Sequence, residues 1–330
     1  MLRRLALLTL ASLALSLAAP HGSAARQLDT PEFKPERLSP PFEPVVGAPF
    51  IHARQVTNQV SPDELVLGVE AGGQARAYPL NVLTGPSREV INDTVGGLPV
   101  AAVWCPLCYN GAVYSRRVRG RTLTFGVAGL LWNRSLVMYD AETGSYWSSF
   151  TSRAERGALE GAELETLPSE LTTWGAWRAA HPETTVLNLP RVDRKFARDL
   201  YDDPSVFVYG WSVGLQRYHC PLYVLMSRQV LNLGAGRAAR LATYEPESTE
   251  AHLFSPEVGG RALTFGVVGE SQMRDEQTGS VWDLRTGEAT AGPHKGKRLK
   301  REFGIISYRQ AWLAFYPKSK ALTGDGAAEP

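Results

Sequence analysis

Two cysteines separated by two residues form the clearest chemical motif in the chain. The motif Trp104-Cys105-Pro106-Leu107-Cys108 follows an apolar run, Leu98 to Val103, that is typical of a strand. It precedes Asn110-Gly111, a dipeptide that favours a turn. Two thiols at the end of a hairpin can bind a soft metal, cycle between dithiol and disulfide, or staple the turn as a fixed disulfide.

The first hypothesis is a soft-metal site at Cys105 and Cys108. A thiolate pair suits copper(I) or zinc(II), and Met138 or a distant histidine or cysteine could add a ligand. A structural zinc site normally takes a second pair of ligands, which this sequence lacks. An incomplete or open site for copper or zinc is therefore the favoured form of this hypothesis.

The alternatives are redox chemistry and a structural or binding role. Cys-Pro-x-Cys resembles the active-site motif of thioredoxin-like oxidoreductases, but a strand-like Ala112-Val113-Tyr114 follows it, where those proteins have a helix. The pattern thus argues against a thioredoxin fold and leaves redox activity on another fold open. In a purely structural protein the cysteines would form a staple. Aromatic side chains could then line a pocket for an organic ligand, the candidates being Trp104, Trp132, Tyr139 and Trp147. Whether the protein is an enzyme stays undecided.

An internal repeat organises the elements that must position these thiols. The segment 120–129 recurs as 260–269 with eight of ten residues identical, and Arg88-Glu89-Val90-Ile91-Asn92 matches Arg228-Gln229-Val230-Leu231-Asn232 at the same spacing of 140. Further on, Thr143-Gly144-Ser145-Tyr146-Trp147 matches Thr278-Gly279-Ser280-Val281-Trp282. Each copy reads as a hairpin, a short helix, several strands and a closing helix. This pattern predicts a β-rich α+β fold of two related units, which either pack as one pseudo-symmetric body or stand apart.

The copies differ where the thiols lie. At a spacing of 140, Cys105 falls opposite Glu245 and Cys108 opposite Ser248, so the first copy is expected to hold the site and the second to be scaffold. The expected supporting residues of the thiol pair are Asn92, Asp93, Met138 and Asp140. In the second copy His219 and Cys220 look inserted before Pro221, and they could complete a metal site if the two copies face each other.

The ends of the chain and the joint between the copies have their own character. Residues 1–25 combine Arg3 and Arg4, an apolar stretch and Ser23-Ala24-Ala25, which predicts a cleaved signal peptide and an exported protein, periplasmic or extracellular. We expect a proline-rich arm at 26–50, the first repeat at 51–190, a connector at 191–204, the second repeat at 205–320 and a flexible tail at 321–330. In an oxidising compartment a free thiol pair tends to oxidise unless metal or a reductant holds it.

Composition limits the partners. The formal net charge is +2 and the one dense basic run is Lys295–Arg301, so nucleic acid is not an expected partner. After signal cleavage no apolar stretch approaches the length of a membrane span. A metal ion or a small molecule remains possible as a partner, and the sequence does not indicate an oligomeric state.

The motifs together resemble a bacterial and archaeal family known as domain of unknown function 3179. The resemblance covers the first copy densely and the second more loosely, and it is carried by Ala75-Arg76-Ala77-Tyr78-Pro79-Leu80, by residues 90–97, by Cys105-Pro106-Leu107-Cys108, by residues 129–140 and by Ser145-Tyr146-Trp147-Ser148. The family lends no established activity. Its members resemble this chain except that they carry histidine where Arg88 stands, which implies an altered site if that histidine serves the thiols.

Overall fold

Each copy of the repeat begins with a hairpin whose two strands are joined by a turn that contains glycine. Leu65–Ala71 and Gln74–Pro79 form two antiparallel strands joined by Gly72-Gly73. Both glycines have positive φ, at 53° and 75°, which is the backbone geometry of a two-residue hairpin turn. The computed structural model describes residues 30–191 and 195–322.

The described part of the proline-rich arm, residues 30–50, lies along the sheets of the first copy as short edge strands. These are β1 (Glu36–Arg37), β2 (Val45–Val46) and β3 (Phe50–His52), followed by a 3-10 turn at Ala53–Gln55.

The first repeat contains the hairpin, two helices and the strands that carry the cysteines. Its elements are β4 (Leu65–Ala71), β5 (Gln74–Pro79), α1 (Leu80–Leu83), β6 (Val90–Val95), β7 (Leu98–Cys105), β8 (Asn110–Ser115), β9 (Arg117–Val118), β10 (Arg121–Thr122), β11 (Phe125–Trp132), β12 (Ser135–Asp140), β13 (Tyr146–Ser148), β14 (Ala154–Arg156), β15 (Thr166–Leu167), β16 (Ser169–Thr173), α2 (Trp174–Ala180) and β17 (Thr185–Leu187).

The second repeat has the same elements in the same order. They are β18 (Phe207–Val213), β19 (Gln216–Pro221), α3 (Leu222–Arg228), β20 (Val230–Leu233), β21 (Arg240–Glu245), β22 (Glu250–Ser255), β23 (Glu257–Val258), β24 (Arg261–Ala262), β25 (Phe265–Val267), β26 (Gln272–Asp275), β27 (Val281–Asp283), β28 (Ala289–Ala291), β29 (Lys300–Glu302), β30 (Gly304–Tyr308), α4 (Arg309–Phe315) and β31 (Lys320–Ala321). Further 3-10 turns lie at Arg198–Asp202, Pro204–Val206 and Gly236–Ala238.

Corresponding strands build corresponding sheets in the two repeats. The hairpin sheet is ordered β16-β4-β5-β17-β3 in the first repeat and β30-β18-β19-β31 in the second. The sheet with the cysteine hairpin is β15-β8-β7-β6-β2, and its counterpart is β29-β22-β21-β20. The third sheet is β1-β11-β12-β13-β14, matched by β25-β26-β27-β28. The predicted β-rich α+β fold of two related units is confirmed.

The two repeats pack against each other through shared hydrophobic cores. One core joins Trp104 and Tyr109 of the first repeat to Phe207 and Tyr209 of the second. A second core surrounds the cysteines and receives Trp312 and other residues of α4. Since burying apolar area is the main stabilising contribution to folding, neither repeat completes its core alone.

The closing helices approach the hairpin sheets closely, and glycine makes this possible. A Cβ atom on Gly68 of β4 would lie 2.4 Å from the ring of Trp177 in α2. The equivalent Gly210 of β18 stands in the same relation to Trp312 of α4, again at 2.4 Å. The indole rings therefore lie on the bare backbone of each hairpin.

Three expectations about boundaries differ from the structure. Pro79 and Pro221 both precede their helices directly, so His219 and Cys220 are not an insertion; β19 carries them, and the second copy is shorter after α3. Ala321, expected in the tail, lies in β31, and Leu322 is buried. Within the connector, Phe196 is buried and its carbonyl accepts a hydrogen bond from Leu65 N.

Parts of the other expectations lie outside the described residues. The signal peptide at 1–25, residues 192–194 of the connector and residues 323–330 of the tail belong to this group. Within the described ranges, none of the helices has the length and apolar character that crossing a bilayer requires.

Candidate functional site

The two cysteines lie at the ends of one tight turn. Strand β7 ends at Cys105, which pairs with Asn110 at the start of β8, and the loop between them is the thiol turn, Pro106–Tyr109. Tyr109 closes this turn with φ of 53°, an uncommon conformation for a residue with a side chain. The turn therefore brings both thiols to the same end of the hairpin.

The two cysteine side chains approach to 2.8 Å without forming a disulfide. Both are buried. The sulfur of Cys105 accepts a hydrogen bond from Leu136 N at 3.4 Å and also bonds with the backbone N–H groups of Leu107 and Cys108. The sulfur of Cys108 lies 3.4 Å from the hydroxyl oxygen of Ser135, within hydrogen-bond distance.

The hydrogen bonds make the two thiols unequal. Burial raises the pKa of Cys105, but the bonds from Cys108 and from the three backbone N–H groups outweigh it, so the pKa of Cys105 lies below the ordinary thiol value. For Cys108, burial and the charge of Cys105 both raise the pKa well above that value. Cys105 is therefore the thiol of the pair that ionises more readily.

The carboxyl group of Glu89 belongs to the site electrostatically. Residue 89 precedes β6, and its carbonyl accepts a hydrogen bond from Trp104 N at 2.9 Å, which places it beside the end of β7. Burial, followed by the charge of Cys105, raises the pKa of Glu89 to about 8. Glu89 in turn raises the pKa of Cys108. An acid–base group that titrates near neutral pH thus interacts with both thiols.

The second repeat repeats this turn with a carboxylate in place of the thiolate. Glu245 pairs with Glu250 as Cys105 pairs with Asn110, and Thr249 closes the carboxylate turn, Pro246–Thr249, with φ of 62°. The Glu245 carboxylate accepts hydrogen bonds from Glu247 N at 3.2 Å, Ser248 N at 2.7 Å and the Ser271 hydroxyl at 3.1 Å. These bonds outweigh burial and lower its pKa.

Comparing the two turns shows what the backbone of the turn does. In both copies, the backbone N–H groups of the second and third residues after the strand point at the side chain of the last residue of that strand. Successive N–H groups of this kind form a concave site for negative charge. The sequence alignment of Cys105 with Glu245 is therefore structurally sound, and the turn stabilises an anion in both repeats.

Each turn is held by the other repeat. The carbonyl of Cys108 accepts a hydrogen bond from Tyr308 N at 3.1 Å, where β30 meets α4. The carbonyl of Ser248 accepts one from Thr173 N at 3.3 Å, where β16 meets α2. The contact is reciprocal, so the thiol turn is completed by the second repeat.

Most of the predicted supporting residues have structural roles. Asn92 joins β6 to β11, accepting from Phe125 N at 2.8 Å and donating to its carbonyl at 2.7 Å, and Asn232 does the same with Phe265 in the second repeat. Asp93 accepts from Arg76 at 2.7 Å and from the Tyr78 hydroxyl at 2.8 Å. Asn92 has an equivalent in the second repeat and Asp93 is paired with Arg76, so the bonds of both residues support the fold.

Asp140 and Met138 also have positions that packing explains. The Asp140 carboxylate accepts from Thr143 N, the Thr143 hydroxyl and the indole of Trp147, and Asp275 forms the same set of bonds in the second repeat. Met138 is fully buried in the hydrophobic core that also contains the two cysteines.

His219 and Cys220 are not brought to the thiol pair. Cys220 is buried, and among the described residues neither it nor His219 joins Cys105 and Cys108 in a group that could hold a metal ion. The ring of His219 bonds through Nδ1 with the Ser319 hydroxyl at 2.8 Å, and burial lowers its pKa to about 4. Burial raises the pKa of Cys220 to about 12.

The predicted pocket aromatics are core residues. Trp104, Trp132 and Trp147 are buried, and their indole nitrogens donate to Thr84, the Glu32 carbonyl and Asp140. Tyr139 donates to the carbonyl of Phe42. The guanidinium group of Arg88 donates a hydrogen bond to the carbonyl of Pro190.

A second group of polar residues lies in the second repeat and was missed by sequence reasoning. His252 Nε2 donates to Glu250 at 2.9 Å, and Arg301 donates to His252 Nδ1 and to Glu170, each at 2.5 Å. Glu250 and His252 are buried, and burial lowers the pKa of His252 to about 3. The comparison of copies could have found this group, because Ala112 stands opposite His252.

Within residues 30–191 and 195–322, no group of three or more histidine, cysteine, aspartate and glutamate side chains is placed to hold a metal ion. The soft-metal hypothesis therefore rests on the two sulfur atoms of Cys105 and Cys108, and it stays a prediction.

The comparisons with known proteins bear on the family. A family model described as "Protein of unknown function (DUF3179)" matches the chain twice, over residues 42–210 and 208–329. No curated protein and no solved structure matches the chain significantly.

Proposed function

The chain belongs to the DUF3179 family, and on that premise we propose that it is a thiol–disulfide redox protein in which Cys105 and Cys108 alternate between dithiol and disulfide. The family description assigns no activity, so the proposal rests on the site.

One observation carries the proposal: two free, buried thiols lie 2.8 Å apart, and backbone N–H groups point at the sulfur of Cys105. These N–H groups lower the pKa of Cys105, while burial and the neighbouring Cys105 raise that of Cys108, so Cys105 is the thiol of the pair that ionises more readily. Thiol–disulfide exchange needs this division, because a thiolate must attack and a second thiol must then resolve the mixed disulfide.

The exchange takes place in two nucleophilic steps. The Cys105 thiolate attacks one sulfur of a partner disulfide, forms a mixed disulfide and releases the first partner thiolate. Cys108 then gives its proton to the Glu89 carboxylate and attacks the sulfur of Cys105, which releases the second partner thiolate. Two electrons pass from the cysteine pair to the partner disulfide, the one proton of Cys108 moves to Glu89, and the two released thiolates take up protons from water.

Glu89 is the base of this sequence. Burial, followed by the charge of Cys105, raises its pKa to about 8. The charge of Cys105 is lost in the mixed disulfide but the burial is not, so the Glu89 carboxylate keeps a raised proton affinity with which to accept the proton of Cys108.

Burial of the pair shapes which partners react. Leu107 is 45% exposed on the turn, whereas both sulfurs are buried beneath it. We therefore expect small thiols and disulfides to exchange faster than folded protein partners. In an exported protein, as residues 1–25 predict, an oxidising environment would supply the disulfide partner.

The test is equilibration of the full chain in buffers of reduced and oxidised glutathione, followed by acid trapping, alkylation and intact mass. The expected result is one reversible two-electron transition, lost in Cys105→Ser and in Cys108→Ser. Cys220→Ser is the matched control, because it removes the third buried thiol and should leave the transition unchanged. A pair that stays oxidised under every glutathione ratio would instead be a structural disulfide.

Soft-metal binding is the second candidate, since the same two sulfurs are the donors that copper(I) and zinc(II) accept. Metal analysis of protein purified without chelator distinguishes it from redox exchange. Bound metal that is lost in Cys105→Ser and retained in Cys220→Ser, and that blocks alkylation of the wild-type pair, would replace the redox assignment.

A further inference from the structure

A cavity of about 200 Å³ lies between the two repeats. Its walls include Thr166 and Ser169 from the first repeat and Arg301 and Gly304 from the second. Thr166 and Arg301 occupy equivalent positions in β15 and β29, and Ser169 and Gly304 begin the equivalent strands β16 and β30. The cavity therefore lies where the two copies meet about their pseudo-twofold axis, and interfaces of this kind are common ligand sites.

The charged residues that line this cavity come from the second repeat. Arg301 and His252 line it, and their counterparts in the first repeat are Thr166 and Ala112. Duplication of the scaffold accounts for the shape of the cavity but not for this charge. The charged residues are therefore a property of this face of the second repeat.

Arg301 has hydrogen-bond capacity left for a guest. A guanidinium group has five N–H donors, and the contacts with Glu170 and His252 use two of them. The Tyr209 side chain also lines the cavity, and burial raises its pKa, so its hydroxyl is a neutral donor there.

A smaller cavity of about 30 Å³ adjoins the first and shares Ser169, Ala251 and His252 with it. Glu250 lines this smaller space, and its Oε1 atom is buried without a hydrogen-bond partner among the described residues. The neighbouring Thr172 hydroxyl donates to the Ser248 carbonyl at 3.1 Å. A buried carboxylate oxygen is strongly stabilised by a donor, so this atom is an independent indication of a polar guest.

We propose that the two joined cavities bind a small organic carboxylate that also carries a hydroxyl or amino group, with its carboxylate on Arg301 and its donor directed toward Glu250. This site is separate from the thiol pair and does not depend on the redox proposal.

Size and charge select this ligand class. A cavity of about 200 Å³ has room for a small organic acid of three carbons. A planar carboxylate fits the guanidinium fork through two parallel hydrogen bonds. Glu170, which pairs with Arg301, adds negative charge beside the guanidinium, and so does Glu302, although Glu302 is partly neutralised by Arg240. Because this negative charge repels a second charge on the guest, a singly charged carboxylate is favoured over a doubly charged phosphate.

The experiment is calorimetric titration of the reduced full chain with lactate, with propionate, which lacks the hydroxyl, and with inorganic phosphate. We expect saturable binding of lactate, several-fold weaker binding of propionate and the weakest binding of phosphate. In Arg301→Gln lactate affinity should fall about 10- to 100-fold, the equivalent of losing a charged hydrogen-bonded pair. Arg298→Gln is the control, because Arg298 is exposed and pairs with Glu288, away from the cavity.

A second variant guards against a folding defect in Arg301→Gln. Ala251→Leu adds volume where the two cavities meet and removes no side-chain hydrogen bond, so it should abolish lactate binding while the unfolding transition stays cooperative. The proposal is overturned by absence of lactate binding to wild type up to ~20 mM, the weak end of specific affinity. Equal binding to wild type and Ala251→Leu, or tighter binding of phosphate than of lactate, would overturn it as well.

Discussion

Replacing Glu89 with glutamine tests whether its carboxyl is held in a protonated form beside the thiolate. Burial and the charge of Cys105 raise its pKa from 4.5 to about 8. The folded protein therefore binds this proton more tightly than the unfolded chain does. Its contribution to stability is fully present below pH 4.5 and is lost as the pH rises through 8.

The size of the effect follows from that difference. At about 1.4 kcal/mol per pKa unit, the interval between 4.5 and about 8 corresponds to up to about 5 kcal/mol. The free energy of unfolding of the wild type should fall by this much relative to Glu89→Gln, whose amide does not ionise, between pH 4.5 and pH 8.5. The variant is thus expected to be the more stable protein in alkaline buffer.

The assay is urea denaturation of wild type and Glu89→Gln under reducing conditions at several pH values in this range. Glu257→Gln is the control, because Glu257 is exposed in β23 and far from this turn in sequence. In a Cys105→Ser background the pH dependence should shrink, since the thiolate charge is gone. A difference between wild type and Glu89→Gln that stays flat from pH 5 to pH 8.5 would refute this account of the site.

Three further predictions concern the shared scaffold. Glu245→Gln should lower the free energy of unfolding by about 1–3 kcal/mol at pH 7, because it removes a charged acceptor for three donors. Since the pKa of Glu245 is lowered in the folded protein, this loss of stability should disappear as the pH falls through that pKa, which denaturation in acid buffers measures. Gly68→Ala should destabilise the protein by about 2–4 kcal/mol, because its Cβ would meet the ring of Trp177 at 2.4 Å, and a thermal melt that matches wild type would contradict this close contact. Asn92→Ala and Asn232→Ala should each cost about 2–3 kcal/mol in urea denaturation, since each leaves buried backbone groups of the next sheet unpaired, and a cost confined to one of them would show that the repeats are not equivalent here.

The repeated scaffold was readable from the sequence because its signals are local. The Thr-Gly-Ser-x-Trp turns and the spacing of 140 identified equivalent elements, and the register Cys105 with Asn110 and Glu245 with Glu250 confirms the alignment at the thiol turn. The same spacing failed at Pro79 and Pro221, because the change in length falls after the helix, where no identical residues mark it.

The partners of the thiols were not readable in the same way. Glu89 lies sixteen positions before Cys105 in the sequence, and the antiparallel register of β6 and β7 brings the two together. Asn92, Asp93 and Asp140 were expected near the site because they are polar and match the family, yet their bonds hold sheets and turns together. Hydrogen-bond partners depend on tertiary packing, which local patterns do not encode.

The reciprocal bonds from Tyr308 to Cys108 and from Thr173 to Ser248 have a consequence for how such a protein can vary. If two separate identical subunits made these contacts, every substitution would appear on both sides of the symmetry axis. A single chain is free of that constraint, since a mutation in one half leaves the other unaltered. Sulfur chemistry on one side and a charged pocket on the other can therefore coexist across one pseudo-symmetric interface, an arrangement closed to a homodimer of the same repeat.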